Sequence, residues 1–352
     1  MNPGASGPPC QQTVNILIRA TNWIGDAVVS LPALRTVRAR YPEARISVLA
    51  RPWVLDLYAR ERFADEIVPY SCRNLREKYK LALSLRSRSF DCAILFQNAF
   101  EAAALAFVAG IQQRIGYARD GRSLLLTRAV PVPKAGEIPR HERFYYLELL
   151  RRAGIVDCLP STDEPIRLEG AENARDEGKA LLSEAGLQGS VVGVSPGAAY
   201  GGAKRWLPER FAEAAASLAR STGSHVAVFG STAERGICEG VHSAISARGI
   251  HAHNFAGETT LARFIAMAAA CELFLTNDSG AMHIASALGV PTVAVFGATD
   301  DLATGPTGLL SRVVRNPVEC SPCLLRECPI DHRCMTGISS DRVARSALEL
   351  LK

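Results

Sequence analysis

Asn15-Ile16-Leu17-Ile18-Arg19-Ala20 runs directly into Thr21-Asn22-Trp23-Ile24-Gly25-Asp26, and a helical pattern follows from about Ala27 to Tyr41. The first six residues are rich in β-branched and aliphatic side chains. The next six contain a glycine that permits a tight turn. Val28, Leu31, Leu34 and Val37 then recur at helical spacing. Together they read as one strand–turn–helix unit. The unit repeats outward from there, with further strands at 46–50, 66–69 and 92–96 and helical stretches between them. A segment rich in proline and charge covers 131–143, an apolar helix covers 144–153, and a linker lies near 157–165. The alternation then restarts. Strands are expected at 191–195, 225–229, 273–276 and 292–296, with helices at 208–222, 233–248, 261–270 and 281–288. A last helix is expected over 341–351. Repeated strand–helix alternation predicts an α/β chain whose parallel sheets carry helices on both faces.

At 352 residues the chain is too long for one ordinary core, and two domains fit the usual size. The expected division is a tail at 1–13, Rossmann-like domains at 14–165 and 166–335 facing across a cleft, and a C-terminal helix at 336–352. Hydrophobic residues make up 48%, which is ordinary for a globular protein and too high for disorder. The net charge of +5 is mild. It argues for no nucleic acid and suits an acidic partner such as a phosphorylated lipid surface. No apolar run reaches the ~18 residues that span a bilayer. The Pro/Gly-rich opening lacks an apolar signal core. The expected location is therefore cytoplasmic.

Three strand-to-helix edges carry candidate chemistry. At the first, Gly25 and Asp26 follow the opening strand. Asp26 reads either as a helix cap or as a carboxylate acting as general base. The G-x-G-x-x-G fingerprint of dinucleotide-binding oxidoreductases is missing here. At the second, Ser195-Pro196-Gly197 leads into Gly201-Gly202-Ala203-Lys204-Arg205-Trp206. This glycine-rich loop has two adjacent cations, and its amides and Lys204 could cradle a phosphate. The ordinary alternative is a solvated surface loop. At the third, Asp278, Ser279 and Gly280 form a turn into a helix whose first turn holds His283. The helix start would attract an anion, and the His283 ring could donate to it. Ser231 and Glu234 form a related edge, where Glu234 could take ribose hydroxyls or stabilise the helix N-terminus.

NWIGDAVVSLPALR, SPGA…GGAKRW, FGS…E, NFAGETTL and TNDSGAMHIASALGVPTVAVFG, in this order, resemble the ADP-heptose:lipopolysaccharide heptosyltransferases of glycosyltransferase family 9. The resemblance runs from about Asn15 to Gly297, and the GGAKRW form is more similar to the heptosyltransferase II branch than to heptosyltransferase I. It implies a GT-B fold and a final helix that returns to the first domain. It implies inversion at the anomeric carbon, an ADP-activated L-glycero-D-manno-heptose donor, and a lipopolysaccharide inner-core acceptor made of Kdo-lipid A with its first heptose. It assigns catalysis to Asp26 and donor binding to Lys204, Glu234, Asp278, Ser279, Gly280 and His283; Gly25, Ser195, Gly197 and Ser231, in the same strand-to-helix loops, are further candidates for donor binding. An enzyme with that acceptor is expected to work at the cytoplasmic face of the inner membrane.

A polyanionic acceptor makes Asn98, Arg119, Arg122, Arg140 and Arg143 candidate contacts. Their alternative is a solvated basic face. No D-x-D pair suited to a divalent cation stands out, so no cofactor is implied beyond the donor substrate. Cys320, Cys323, Cys328 and Cys334 have compact metal-ligand spacing. Reduced cysteines packing a loop are the favoured reading over a structural zinc. The rival functions are heptosyltransferase I or another acceptor specificity within the family, and a nucleotide-binding module without catalysis.

Overall fold

The computed structural model describes residues 15–159 and 164–352. The expected tail at 1–13 and the centre of the 157–165 linker lie outside the described residues. The chain forms two compact units, 1–163 and 164–352.

The first unit is built on one six-stranded sheet: β1 (Asn15–Arg19), β2 (Arg45–Ala50), β3 (Glu66–Pro69), β4 (Cys92–Leu95), β5 (Gln113–Tyr117) and β6 (Arg128–Val130). Their order is β3-β2-β1-β4-β5-β6, and every pair is parallel. The second unit has β7 (Val191–Ser195), β8 (His225–Val228), β9 (Ala252–Asn254), β10 (Leu273–Asn277), β11 (Thr292–Phe296) and β12 (Ser311–Arg315). Read from its far edge the order is β9-β8-β7-β10-β11-β12, again all parallel. The two sheets therefore have one topology. Each turns outward in both directions from its first strand, which makes a switch point between β1 and β4 and between β7 and β10. Central parallel strands are covered on both faces, and their sequences accordingly run apolar without alternation. Every residue of β7, β10 and β11 is buried.

Four strands go beyond the sequence pattern: β5, β6, β9 and β12. So does the helix Ala171–Glu184. The single helix expected over 27–41 is two, Ile24–Val29 and Leu31–Arg40. Pro32 has no amide to give to the Val28 carbonyl, so the first helix cannot run on unbroken.

The final helix, Ser340–Glu349, contributes to the core of the second unit. Its apolar face is buried there. Val343, Ala344 and Ala347 join Trp206, Phe211 and Leu218 in one core cluster. The Ser339 hydroxyl caps the helix by accepting from the Arg342 amide at 3.3 Å. Trp206 is fully buried; its indole donates to the Ile338 carbonyl at 3.2 Å and meets Phe211 edge-on at 4.9 Å. Among the described residues no helix is long and apolar enough to cross a membrane.

Val343→Ala removes buried methyl groups from this cluster and should destabilise the second unit by about 1–2 kcal/mol. Urea unfolding followed by circular dichroism measures it, and an unchanged midpoint would mean that the last helix is not part of the core.

Candidate functional site

In the first unit, Asp26 stands in the first turn of helix Ile24–Val29, on the loop at the carboxyl end of β1. The N-cap position belongs to Trp23, which offers no side-chain cap, so Asp26 is not the capping residue. It lines a cleft of about 460 Å³ with Asn98, Arg119, Arg140, Tyr145 and Tyr146. These positions follow from the topology. Asn98 leaves β4 and Arg119 leaves β5, the next two strands across the sheet from β1. Burial pushes the phenol of Tyr58 up to about 12, and the Asp26 carboxylate adds to it. Tyr146 is likewise held well above the ordinary range, first by burial and then by Asp26. Asp26 therefore has two phenols nearby that remain protonated at neutral pH.

Tyr145 organises the opposite wall. Its hydroxyl accepts from Asn98 Nδ2 at 3.0 Å and from Arg119 Nη1 at 3.4 Å. The first of the causes that raise the Arg119 guanidinium is this bond to Tyr145. Arg140 and Lys134 bring further positive charge to the cleft, with Glu142 and Asp26 as its acids.

Arg122 departs from its expected role as an acceptor contact. It is fully buried. Its Nε donates to the Tyr117 carbonyl at 2.9 Å, its Nη1 to the Gln97 carbonyl, and its Nη2 to Asn98 Oδ1 at 3.1 Å. Burial pulls its pKa down to about 10. Arg122 thus holds Asn98 from behind and presents nothing to a ligand. Arg143, half-buried at the start of its helix, is absent from the cleft lining and sits over the Phe144 ring.

In the second unit, the loops leaving β7 and β10 meet at the switch point. Lys204 Nζ pairs with Asp278 Oδ2 at 2.6 Å, and the Thr299 hydroxyl donates to the same oxygen at 2.5 Å. Lys204 also lies 4.9 Å from the centre of the Tyr200 ring. Asn277, fully buried, ties the two loops together. Its Oδ1 accepts from the Trp206 amide at 2.9 Å, and its Nδ2 donates to the Pro196 carbonyl at 2.8 Å. Ser279 caps helix Gly280–Ala287, and His283 is buried in that helix's first turn. Ser195, also buried, ends β7. Glu234 shows the capping reading in full: its Oε2 accepts from the Ser231 amide at 2.9 Å and from the Ser231 hydroxyl at 2.7 Å. Its other oxygen, Oε1, makes no hydrogen bond among the described residues and lies against Gly197. A Cβ at Gly197 would stand 2.1 Å from it, so any larger residue there would push the Glu234 carboxylate aside.

The cysteine-rich segment packs on the Lys204 loop. The Ala203 amide donates to the Arg326 carbonyl at 2.9 Å, and the Gly202 amide donates to Glu327 Oε1 at 2.9 Å. The Tyr200 hydroxyl donates to the Leu324 carbonyl at 2.9 Å. His332 Nε2 bonds the Ala203 carbonyl at 3.0 Å. Gly201 has φ +157°, and a Cβ there would strike the Arg326 carbonyl at 2.3 Å. Burial, and then the neighbouring Cys320, Cys328 and Cys323, push the Cys334 thiol up. The four cysteines are free. Among the described residues no three His, Cys, Asp or Glu side chains gather so as to hold a metal ion.

Sequence reasoning passed over Tyr145, Tyr146, Asn277, Thr299 and Glu327. Asn277 lies inside a quoted motif, where its amide gave the one available signal. The tyrosines read as helical core.

A family model described as glycosyltransferase family 9 (heptosyltransferase) matches residues 78–333. Lipopolysaccharide heptosyltransferase 2 of Salmonella typhimurium is 32% identical over 309 residues, which cover 86% of this chain and 88% of that protein. Lipooligosaccharide heptosyltransferase 2 of Campylobacter jejuni is 28% identical, with 96% and 99% covered. A solved structure of E. coli ADP-heptose lps heptosyltransferase II matches with a TM-score of 0.81 at 30% identity, covering 96% of this chain and 98% of that one.

Arg122→Met leaves three acceptors in the first unit without their donor and should cost about 2–4 kcal/mol of stability. A surface arginine would cost under ~0.5 kcal/mol. Thermal unfolding decides between them.

Proposed function

The chain belongs to glycosyltransferase family 9, the heptosyltransferases, and we propose that it moves L-glycero-D-manno-heptose from ADP-heptose to the first heptose of a lipopolysaccharide inner core, with inversion. The observation that carries this reading is the Lys204–Asp278 pair at the second switch point, next to a capped helix start and to a glutamate with one free oxygen. Such a place suits a nucleoside diphosphate. The pyrophosphate would compete with Asp278 for Lys204 and take amides from the Gly280 turn. Glu234 Oε1 would accept from a ribose hydroxyl. Asp26 accepts the proton of the acceptor hydroxyl as it attacks the anomeric carbon, and the C–O bond to ADP breaks. The charge that grows on the departing ADP is met by Lys204, the kind of stabilisation that usually contributes most to catalysis. The acceptor lies in the Asp26 cleft, where Arg119, Arg140 and Lys134 face its phosphates and carboxylates. Because that acceptor is lipid-linked, transfer takes place at the cytoplasmic face of the inner membrane.

The test is ADP release with ADP-heptose on two acceptors, one carrying Kdo alone and one carrying Kdo and one heptose. The heptosylated core should be used faster by an order of magnitude or more. A shift of about 1 Å at the cleft wall is worth about 100-fold in rate. Faster transfer to the heptose-free core would assign the chain to the heptosyltransferase I activity instead.

Asp26→Asn keeps shape and removes the base. It should lower kcat by about 10²–10⁴-fold and leave ADP-heptose affinity, measured by calorimetry, nearly unchanged. Retained turnover would strip Asp26 of its role.

A further inference from the structure

Helix Leu75–Arg86 packs on the first unit through Ala82 and Leu85 and leaves its outer face to solvent. That face is not polar. Leu75, Tyr79 and Leu83 follow one another at intervals of four residues, and they are 81%, 58% and 44% exposed. Residues four apart share a helix face, so the three make one stripe. Cations surround it. Arg73, Arg76, Lys80 and Arg86 are all exposed, and none of their side chains joins an ion pair among the described residues. The two remaining cations nearby are engaged, Lys78 with Glu101 and Arg88 with Glu66. The helix's only acid, Glu77, is folded back onto the cap, where it accepts from the Arg73 amide and from Asn74 Nδ2, each at 2.7 Å. The face therefore carries apolar side chains and uncompensated positive charge together.

The rest of the unit leans the same way. Residues 1–163 hold 23 Lys and Arg against 15 Asp and Glu, a net of +8, whereas 164–352 hold 17 against 20, a net of −3. The helix starts just past the carboxyl end of β3, on the sheet edge that also carries Asp26. β3 lies two strands from β1, about 10 Å across the sheet.

From this stripe and its cations we propose that helix Leu75–Arg86 docks the protein on an anionic phospholipid surface. Leu75, Tyr79 and Leu83 enter the headgroup layer, and Arg73, Arg76, Lys80 and Arg86 meet lipid phosphates. Interfacial helices combine these two features, and anionic leaflets attract basic segments. A second copy of the chain is a poor occupant, because a two-fold contact would set four cations against four. The inference rests on the lipid-linked acceptor of the proposed function, and it supplies the surface that holds the enzyme where that acceptor lies.

Flotation of the full chain with vesicles tests it. Vesicles of phosphatidylcholine with phosphatidylglycerol should carry the protein upward, and vesicles of phosphatidylcholine alone should not. Arg76→Gln with Lys80→Gln should weaken binding on the order of 25-fold, at about fivefold per cation. Leu75→Ser with Tyr79→Ser should weaken it at least tenfold without removing charge. Both pairs should keep wild-type turnover on a delipidated core acceptor and lose turnover on the same core presented in anionic vesicles. Wild-type flotation by both variants, or equal flotation with the two lipids, would overturn the proposal. So would a dimer in sedimentation velocity that Leu75→Ser dissociates while vesicles bind nothing. If the wild type fails on the soluble acceptor, it is the transferase reading that falls, whatever the vesicles report.

Discussion

In a sheet whose strands all run parallel, every chain segment leaving a carboxyl end emerges along the same edge. Both sheets here obey that constraint, and both reverse their winding at the first strand. The loops that follow the first and fourth strands of each unit are thereby forced apart, opening space above the strands. The first unit places Asp26 and Asn98 on those two loops, and the second places Lys204 and Asp278. Residues distant in sequence become neighbours for a topological reason alone. Lys204 and Asp278 are 74 positions apart in sequence, yet their side chains pair at 2.6 Å.

The electrostatics of the two units differ in kind. The first surrounds its cleft with excess charge, exposed Arg119, Arg140 and Lys134, on a unit of net +8. The second is net negative, and its one nearly buried lysine is already paired. An anion arriving there does not fall into a strong field. It would have to displace the Asp278 carboxylate, so discrimination there would rest on geometry more than on charge. A compact diphosphate that can take both Lys204 and the helix amides gains from that exchange, and a single carboxylate gains little.

The alternation of strand and helix was legible in the sequence because central parallel strands are continuous apolar runs. Of the strands that escaped it, β6, β9 and β12 lie at sheet edges and β5 lies next to one. β9 is Ala-His-Asn, β6 is three residues long, β12 begins and ends in polar residues, and β5 is interrupted by Gly116. At sheet edges one face meets solvent or loops, and the pattern loses contrast. The candidate residues were legible where a motif carried them. Their partners were not, since Asn277, Thr299 and Tyr145 act through bonds to loops far along the chain. Arg122 shows the reverse error. In sequence it is one more arginine in a basic stretch, and only its three carbonyl and amide acceptors reveal that it is an interior brace. The final helix was found, but which surface its apolar face covers is a tertiary matter that the helix's own pattern does not encode.

The segment 324–332 holds the Lys204 loop partly through its main chain and partly through the Glu327 and His332 side chains. The Arg326 and Leu324 carbonyls accept from the loop, and the Leu324 amide in turn donates to the Ala298 carbonyl at 2.8 Å. Bonds of this sort do not depend on which side chains the segment carries. Its residues can therefore drift over evolutionary time while the loop keeps its shape, Glu327 and His332 excepted. A change in length is another matter. One inserted or deleted residue would move every carbonyl out of register with the loop at once. The region should thus vary freely in spelling across relatives and hardly at all in length, the opposite of what is ordinarily expected of an exposed connection near the end of a chain.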